Sequence, residues 1–210
     1  MKPGDLYLGV LHFFSILLPG SVLVMLILWS GQLDALITEI ALTKDVERWA
    51  GFLLASYGLG HVTFLIASSL DWLVYDSLRK IVWPDKPGSP YNQATALRDA
   101  ELAQHLPDTT SMNTFTWAKA SLLRAWPEAS AEVQRFEADS KFFRSLCVVA
   151  AFAAVQFWLH DRDGLGYAAL LIGLLSLMRY AEQRQKSTRF AYQYVLILHM
   201  QGPPSSKATS

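Results

Sequence analysis

The stretch SYGLGHVTFLIASSLDW, residues 56–72, is almost wholly apolar, yet it holds His61 near its middle and Asp71 near its end. Tyr57 lies one helical turn before His61, and Ser68 and Ser69 follow on the same stretch. An ionisable group deep in a membrane-length apolar run is costly and marks a functional candidate; here that is a titrating site in a polar path between helices. A plainer role stands beside it: a neutral imidazole, the cheapest ionisable group to bury, hydrogen-bonded to a facing helix. Gly58 and Gly60 flank His61, with Gly51, Ala55 and Ser56 upstream, and small residues let helices approach closely. They favour the plainer role, an intramembrane polar contact built from His61 and Tyr57. Asp71, with Arg79 and Lys80 beyond it, is expected at the end of the run, reaching water or pairing with a basic neighbour.

A second cluster is RFEADSKFFRSL, where Arg135, Glu137, Asp139, Lys141 and Arg144 interleave at i, i+3 and i, i+4 spacing. Such pairs support a helix, and Lys141 and Arg144 could meet anionic headgroups where that helix enters a membrane. Arg179 and Arg184 belong with this cluster on the facing helix. A solvated helix with alternating charge explains each residue alone; the interleaved Phe136, Phe142 and Phe143 make the cluster less ordinary.

Motifs for catalysis do not appear. There is no H-x-x-x-H, HExxH or CxxC metal spacing, no glycine-rich phosphate loop and no G-x-S-x-G. Asp71, Asp76, Glu137 and Asp139 could supply paired carboxylates, but no spacing selects them. The expectation is no catalytic residue, no metal and no cofactor. The single cysteine, Cys147, cannot form an intrachain disulfide and reads as a packing residue.

The elements that must carry these residues follow from apolar blocks at 6–30, 50–75, 142–160 and 164–178. A bilayer-crossing helix needs about 20 apolar residues. The first two blocks exceed that length, the third reaches it, and the fourth is uninterrupted by charge. Four spans are expected. The first has no cleavage site of the signal-peptide type close behind it and reads as uncleaved, and no lipidation motif is present. Lysine and arginine gather between the second and third blocks (Arg79, Lys80, Lys86, Arg98, Lys119, Arg124, Arg135, Lys141) and after the fourth (Arg179, Arg184, Lys186, Arg189). The connection HDRDG has one arginine. The positive-inside rule then places both termini and the long middle segment in the cytoplasm. Lysine plus arginine equals aspartate plus glutamate, 18 each, so no global basic field argues for nucleic acid.

The middle segment reads as ordered. WPDKPGSPYN is a turn-rich connection, YNQATALRDAELAQHL has helical spacing, and PDTTSMNTFTWAKASLLRAW sets capping residues before an apolar stripe at Phe115, Ala118, Leu122 and Ala125. Pro127 suits a first helical turn, and nothing breaks the chain before His160, so one helix is expected over 127–160. After Gly173 the tail has no proline or glycine until Gly202. Spans three and four should therefore continue inward as an antiparallel stalk about 20 Å long. The fold class is all-α. The expected segments are 1–75, a first transmembrane pair; 76–126, a cytoplasmic helical segment; 127–200, the stalk and second pair; and 201–210, a disordered tail.

HFFSILLPG, YGLGH, SSLDW, NTFTWAKA, EADSKFFRSL and RYAEQRQKSTRFAYQYVLILH together resemble a bacterial family of small, uncharacterised integral membrane proteins. EADSKFFRSL and the closing tyrosine-rich run are its most specific parts, and the resemblance spans nearly the whole chain. It implies a bacterial inner membrane and carries no activity. The function expected is a non-catalytic membrane module that forms homo-oligomers or binds a cytosolic protein partner, with a membrane-perturbing stress or phage-defence effector as one form. The alternative is ion or small-molecule conduction with a polar site at His61. A membrane enzyme acting on lipid is a remote third.

Overall fold

The computed structural model describes residues 3–31, 45–75, 77, 87–104 and 112–201. Asp34, Asp76, Arg79, Lys80, Lys86 and the closing tail lie outside the described residues. The described chain is helical: α1 (Pro3–Trp29), α2 (Asp45–Leu70) continuing into a π-helical turn (Asp71–Tyr75), α3 (Pro90–Leu102), α4 (Thr114–Ala125), α5 (Pro127–Leu159) and α6 (Asp163–Gln201). Three stretches, Val46–Tyr75, Pro127–Leu159 and Asp163–Met200, are long and apolar enough to cross a membrane. In α1 the apolar stretch Ser15–Trp29 is shorter.

Local chemistry sets the ends of these helices. Ser89 caps α3 by accepting from the Asn92 N–H, with Pro90 at the first helical position. Asn113 caps α4 by accepting from the Phe115 N–H at 2.8 Å. Helix α4 stops at Trp126, whose backbone leaves the helical region before Pro127, and Pro127 then opens α5. Between α5 and α6 the Arg162 N–H reaches the Phe157 carbonyl at 2.9 Å and the Asp161 N–H reaches that of Trp158 at 3.2 Å. Asp161 takes the left-handed conformation, φ 54°, that this helix-ending turn demands.

The described chain groups into two compact units, residues 1–77 with 138–182, and residues 78–137 with 183–210. The grouping differs from the segments read off the sequence. The start of α5 and the end of α6 group with α3 and α4, because those helices bury their apolar stripes on them.

Unit 1 holds α1, α2 with its π turn, α5 from Ala138 onward and α6 as far as Glu182. Here α1 and α2 touch backbone to backbone. A Cβ added at Gly60 would overlap the Ile16 carbonyl oxygen and sit 2.9 Å from Ile16 Cγ2; one added at Gly20 would overlap the Ser56 carbonyl and lie 2.7 Å from the Gly60 nitrogen. Only glycine fits at these two positions. Pro19 lies inside α1 and is fully buried. In the same unit α5 and α6 run antiparallel: Gly173 meets Ala150, Ala169 packs with Ala153 and Ala154, and Gly166 meets the Trp158 ring. Small side chains line the inside, and large apolar ones point out: Met25 is 62% exposed, Leu54 75%, Leu65 69% and Met178 70%.

Unit 2 is built the ordinary way round. Ala94 of α3, Trp117, Ala118 and Leu122 of α4, Ala129 and Val133 of α5 and Ala191, Tyr192 and Val195 of α6 form one buried apolar core. Here too α5 and α6 are antiparallel, since Phe136 stacks on Phe190 and Trp126 meets Tyr194.

Candidate functional site

His61 lies at the centre of Val46–Tyr75 and is exposed. Its ring stands edge-on to Tyr57, centroids 4.6 Å apart, and Tyr57 in turn stacks on Phe13 at 5.8 Å. Among the described residues His61 makes no hydrogen bond to a facing helix. The interhelical contact expected of it within the chain is therefore not what is found. The helix face that packs inward carries Ser56, Gly60, Thr63 and Ala67, all buried, and His61 sits on the other side. Of the two flanking glycines, Gly60 makes the close approach to α1, whereas Gly58 meets nothing within 4 Å.

Asp71 has a different environment. It opens the π turn, accepts a hydrogen bond from the Tyr180 hydroxyl through one carboxylate oxygen, and forms an ion pair with Arg144 through the other. Three helices thus converge on one carboxylate. The Arg144 side chain is only 7% exposed and lies with its guanidinium carbon 4.9 Å from the Phe64 ring centroid. The Tyr75 ring, four residues after Asp71, faces Tyr180 at 6.0 Å. Single-turn π segments often occur at functional positions. This one delivers Asp71 and Tyr75 together to α6. Both carboxylate oxygens are engaged, so Asp71 ties α2, α5 and α6 together.

Local spacing groups Arg144 with its own helix neighbours, whereas its guanidinium pairs with Asp71 of α2. Glu137 likewise reaches Lys119 of α4 within unit 2. Asp139, Lys141 and Arg144 lie in unit 1, and Arg135 and Glu137 in unit 2. Arg135 sits 5.5 Å from the Phe136 ring, and Arg184 5.6 Å from Phe115. Arg179 pairs with Glu182 at 2.7 Å, an exposed i, i+3 contact.

Unit 2 also holds a polar constellation with no motif in the sequence. His199 Nδ1 faces the Val195 carbonyl at 2.9 Å and Nε2 faces Glu101 at 2.6 Å, while the other Glu101 oxygen accepts from the Trp117 indole at 3.1 Å. Both ring nitrogens face acceptors, so the geometry suits an imidazolium. Burial alone would lower the His199 pKa, but the Glu101 hydrogen bond, the Val195 carbonyl and the Glu101 charge hold it above the ordinary histidine value. Histidine 98 positions away from its acid, at the far end of another helix, left no spacing signal to read.

Inside unit 1 several polar side chains are buried. Among them Ser56 Oγ, Ser145 Oγ, Gln156 Oε1 and Arg144 Nε have no hydrogen-bond partner among the described residues. An open groove in the same unit is lined by Val22, Met25, Leu26, Trp29 and Phe157, with Arg162 its one charged member. Among the described residues no group of three or more His, Cys, Asp or Glu is placed to hold a metal ion. Comparison with protein-family models, curated proteins and solved structures finds no match.

Proposed function

We propose that this chain is a non-catalytic integral membrane module whose unit 1 is embedded in a bacterial inner membrane by four crossings and whose unit 2 is a cytoplasmic docking body. The observation that carries the reading is the inversion of unit 1: large apolar side chains outside, small and polar ones inside. Such a surface is matched by hydrocarbon and opposed by water. The apolar parts of α2, α5 and α6 supply three crossings. The fourth is α1, which covers 27 residues, about 40 Å of helix. The charge bias between the blocks supports cytoplasmic termini and a cytoplasmic middle segment. The bacterial setting rests on the family resemblance of the quoted motifs. Work of this module is assembly: self-association through unit 1, capture of a cytosolic protein by unit 2, or both, as a membrane-perturbing stress or phage-defence effector would need.

One observation favours a second reading, conduction: the unpartnered polar atoms of Ser56, Ser145 and Gln156 inside unit 1 are what a wetted path would present. His61, facing outward, would not line such a path within one chain.

Expression in bacterial cells, with membrane potential recorded alongside affinity capture from carbonate-washed membranes, separates the two. The assembly reading expects membrane retention and capture of a second copy or a soluble protein. An ion flux that disappears in Gln156→Leu while capture persists supports conduction and contradicts it.

A further inference from the structure

The outward face of α2 has features that contact with lipid alone does not explain. Leu54, Gly58, His61, Leu65 and Ser68 are all exposed. At 100° per residue they fall in one stripe about 80° wide, opposite the buried face. His61 is at its middle, 15 residues from Val46 and 14 from Tyr75. That is roughly 20 Å of helix in either direction, far beyond what an imidazole could span by snorkelling. A donor and an acceptor left unmatched in hydrocarbon are costly. One turn away, Gly58 leaves an open notch where an added Cβ would meet nothing within 4 Å. Glycine in a helix is a poor choice unless something approaches it. Gly60, two residues on, is filled by Ile16; Gly58 is filled by none of the described residues.

We infer that this face of α2 is the contact between two copies of the chain. Gly58 lets the two helices close, and His61 makes its hydrogen bonds across the two-fold axis. Neutral imidazole carries one donor and one acceptor, so it is complementary to itself and to a tyrosine hydroxyl. A two-fold contact places the same patch on both sides, which brings His61 against the second copy's own His61 and Tyr57. A second copy is the occupant because the polar groups at the centre of the stripe complement themselves. The inference rests on the reading of unit 1 as membrane-embedded and names the partner of that unit.

The test is disulfide cross-linking in native membranes on a Cys147→Ser background. Leu54→Cys and Leu65→Cys lie on the stripe; Val62→Cys and Ile66→Cys are also exposed but off it. A dimer band at the first two and none at the second two is expected. Adding Gly58→Leu should abolish the Leu65→Cys band without harming membrane retention, because a Cβ at this position meets none of the described residues within 4 Å. His61→Leu should weaken self-association about three- to tenfold, the loss of one or two interhelical hydrogen bonds, and His61→Gln should keep it. Equal bands at all four cysteines, adducts only to other proteins, or a dimer that tolerates Gly58→Leu would overturn the inference. Release of the protein by carbonate would instead overturn the membrane reading beneath it.

Discussion

Asp71→Asn removes the carboxylate that pairs with buried Arg144. The substitution keeps the size of the side chain and an oxygen for the Tyr180 hydroxyl, but strips the negative charge from the partner of Arg144. Removing one member of a fully buried ion pair costs about 3–5 kcal/mol, because the other charge is left without compensation. The Arg144 side chain is 7% exposed and the Asp71 side chain 38%, so water screens the pair from the Asp71 side. That discounts the loss to about 2 kcal/mol. Arg144→Met is the informative counterpart. It leaves a partly hydrated carboxylate that keeps Tyr180, and a thioether to fill the space beside Phe64, so it should cost only about 1 kcal/mol. Thermal unfolding in detergent, followed by circular dichroism, should rank wild type above Arg144→Met above Asp71→Asn, with the double substitution recovering part of the loss. An Asp71→Asn protein as stable as wild type, or less damaged than Arg144→Met, would refute the claim that buried Arg144 depends on this carboxylate.

Gly60→Leu should prevent α1 and α2 from closing, since its Cβ would overlap the Ile16 carbonyl; yield and protease resistance in membranes should collapse. Normal accumulation would show that the backbone contact is dispensable. Ala138→Pro removes a helix hydrogen bond inside α5 and clashes with the preceding turn, a loss of about 3 kcal/mol or more, read as a lowered melting temperature. A wild-type melt would mean that α5 need not be continuous. The His199–Glu101 contact, 21 residues past the end of the apolar 164–178 stretch, should make unit 2 pH-sensitive. The folded pKa of His199 is raised, so its stabilisation is complete below the ordinary histidine value and fades as pH rises through the folded value. With side chains 30% and 45% exposed, the effect should be under about 1 kcal/mol, seen as a melting temperature that falls with pH and flattens in His199→Gln. A melt that rises with pH over that window would contradict the assignment.

Much of the helical layout was legible from residue chemistry. The absence of proline and glycine predicts an unbroken helix from Pro127, found over Pro127–Leu159, and a long final helix, found over Asp163–Gln201. Capping residues before the Phe115 stripe locate α4, and its buried Ala118 and Leu122 were in that stripe. The direction of His61 was not legible. Helix α2 is apolar on all sides, so periodicity cannot separate its packed face from its outer one, and Gly58 and Gly60 look alike in sequence. The Asp71 partners were hidden for a different reason: Arg144 and Tyr180 are 73 and 109 positions away, and arginine 144 also had acidic neighbours at local spacing. A lone acid and a lone arginine at the ends of apolar blocks were the available signal, because charges there need each other.

Four crossings of unit 1 with both termini cytoplasmic, as proposed, can be tested by reporter fusions that distinguish periplasm from cytoplasm. Fusions at Asp34 and Asp163 should read periplasmic, and fusions at Lys86 and Ser206 cytoplasmic. A periplasmic signal at Lys86, or opposite signals at Lys86 and Ser206, would contradict it.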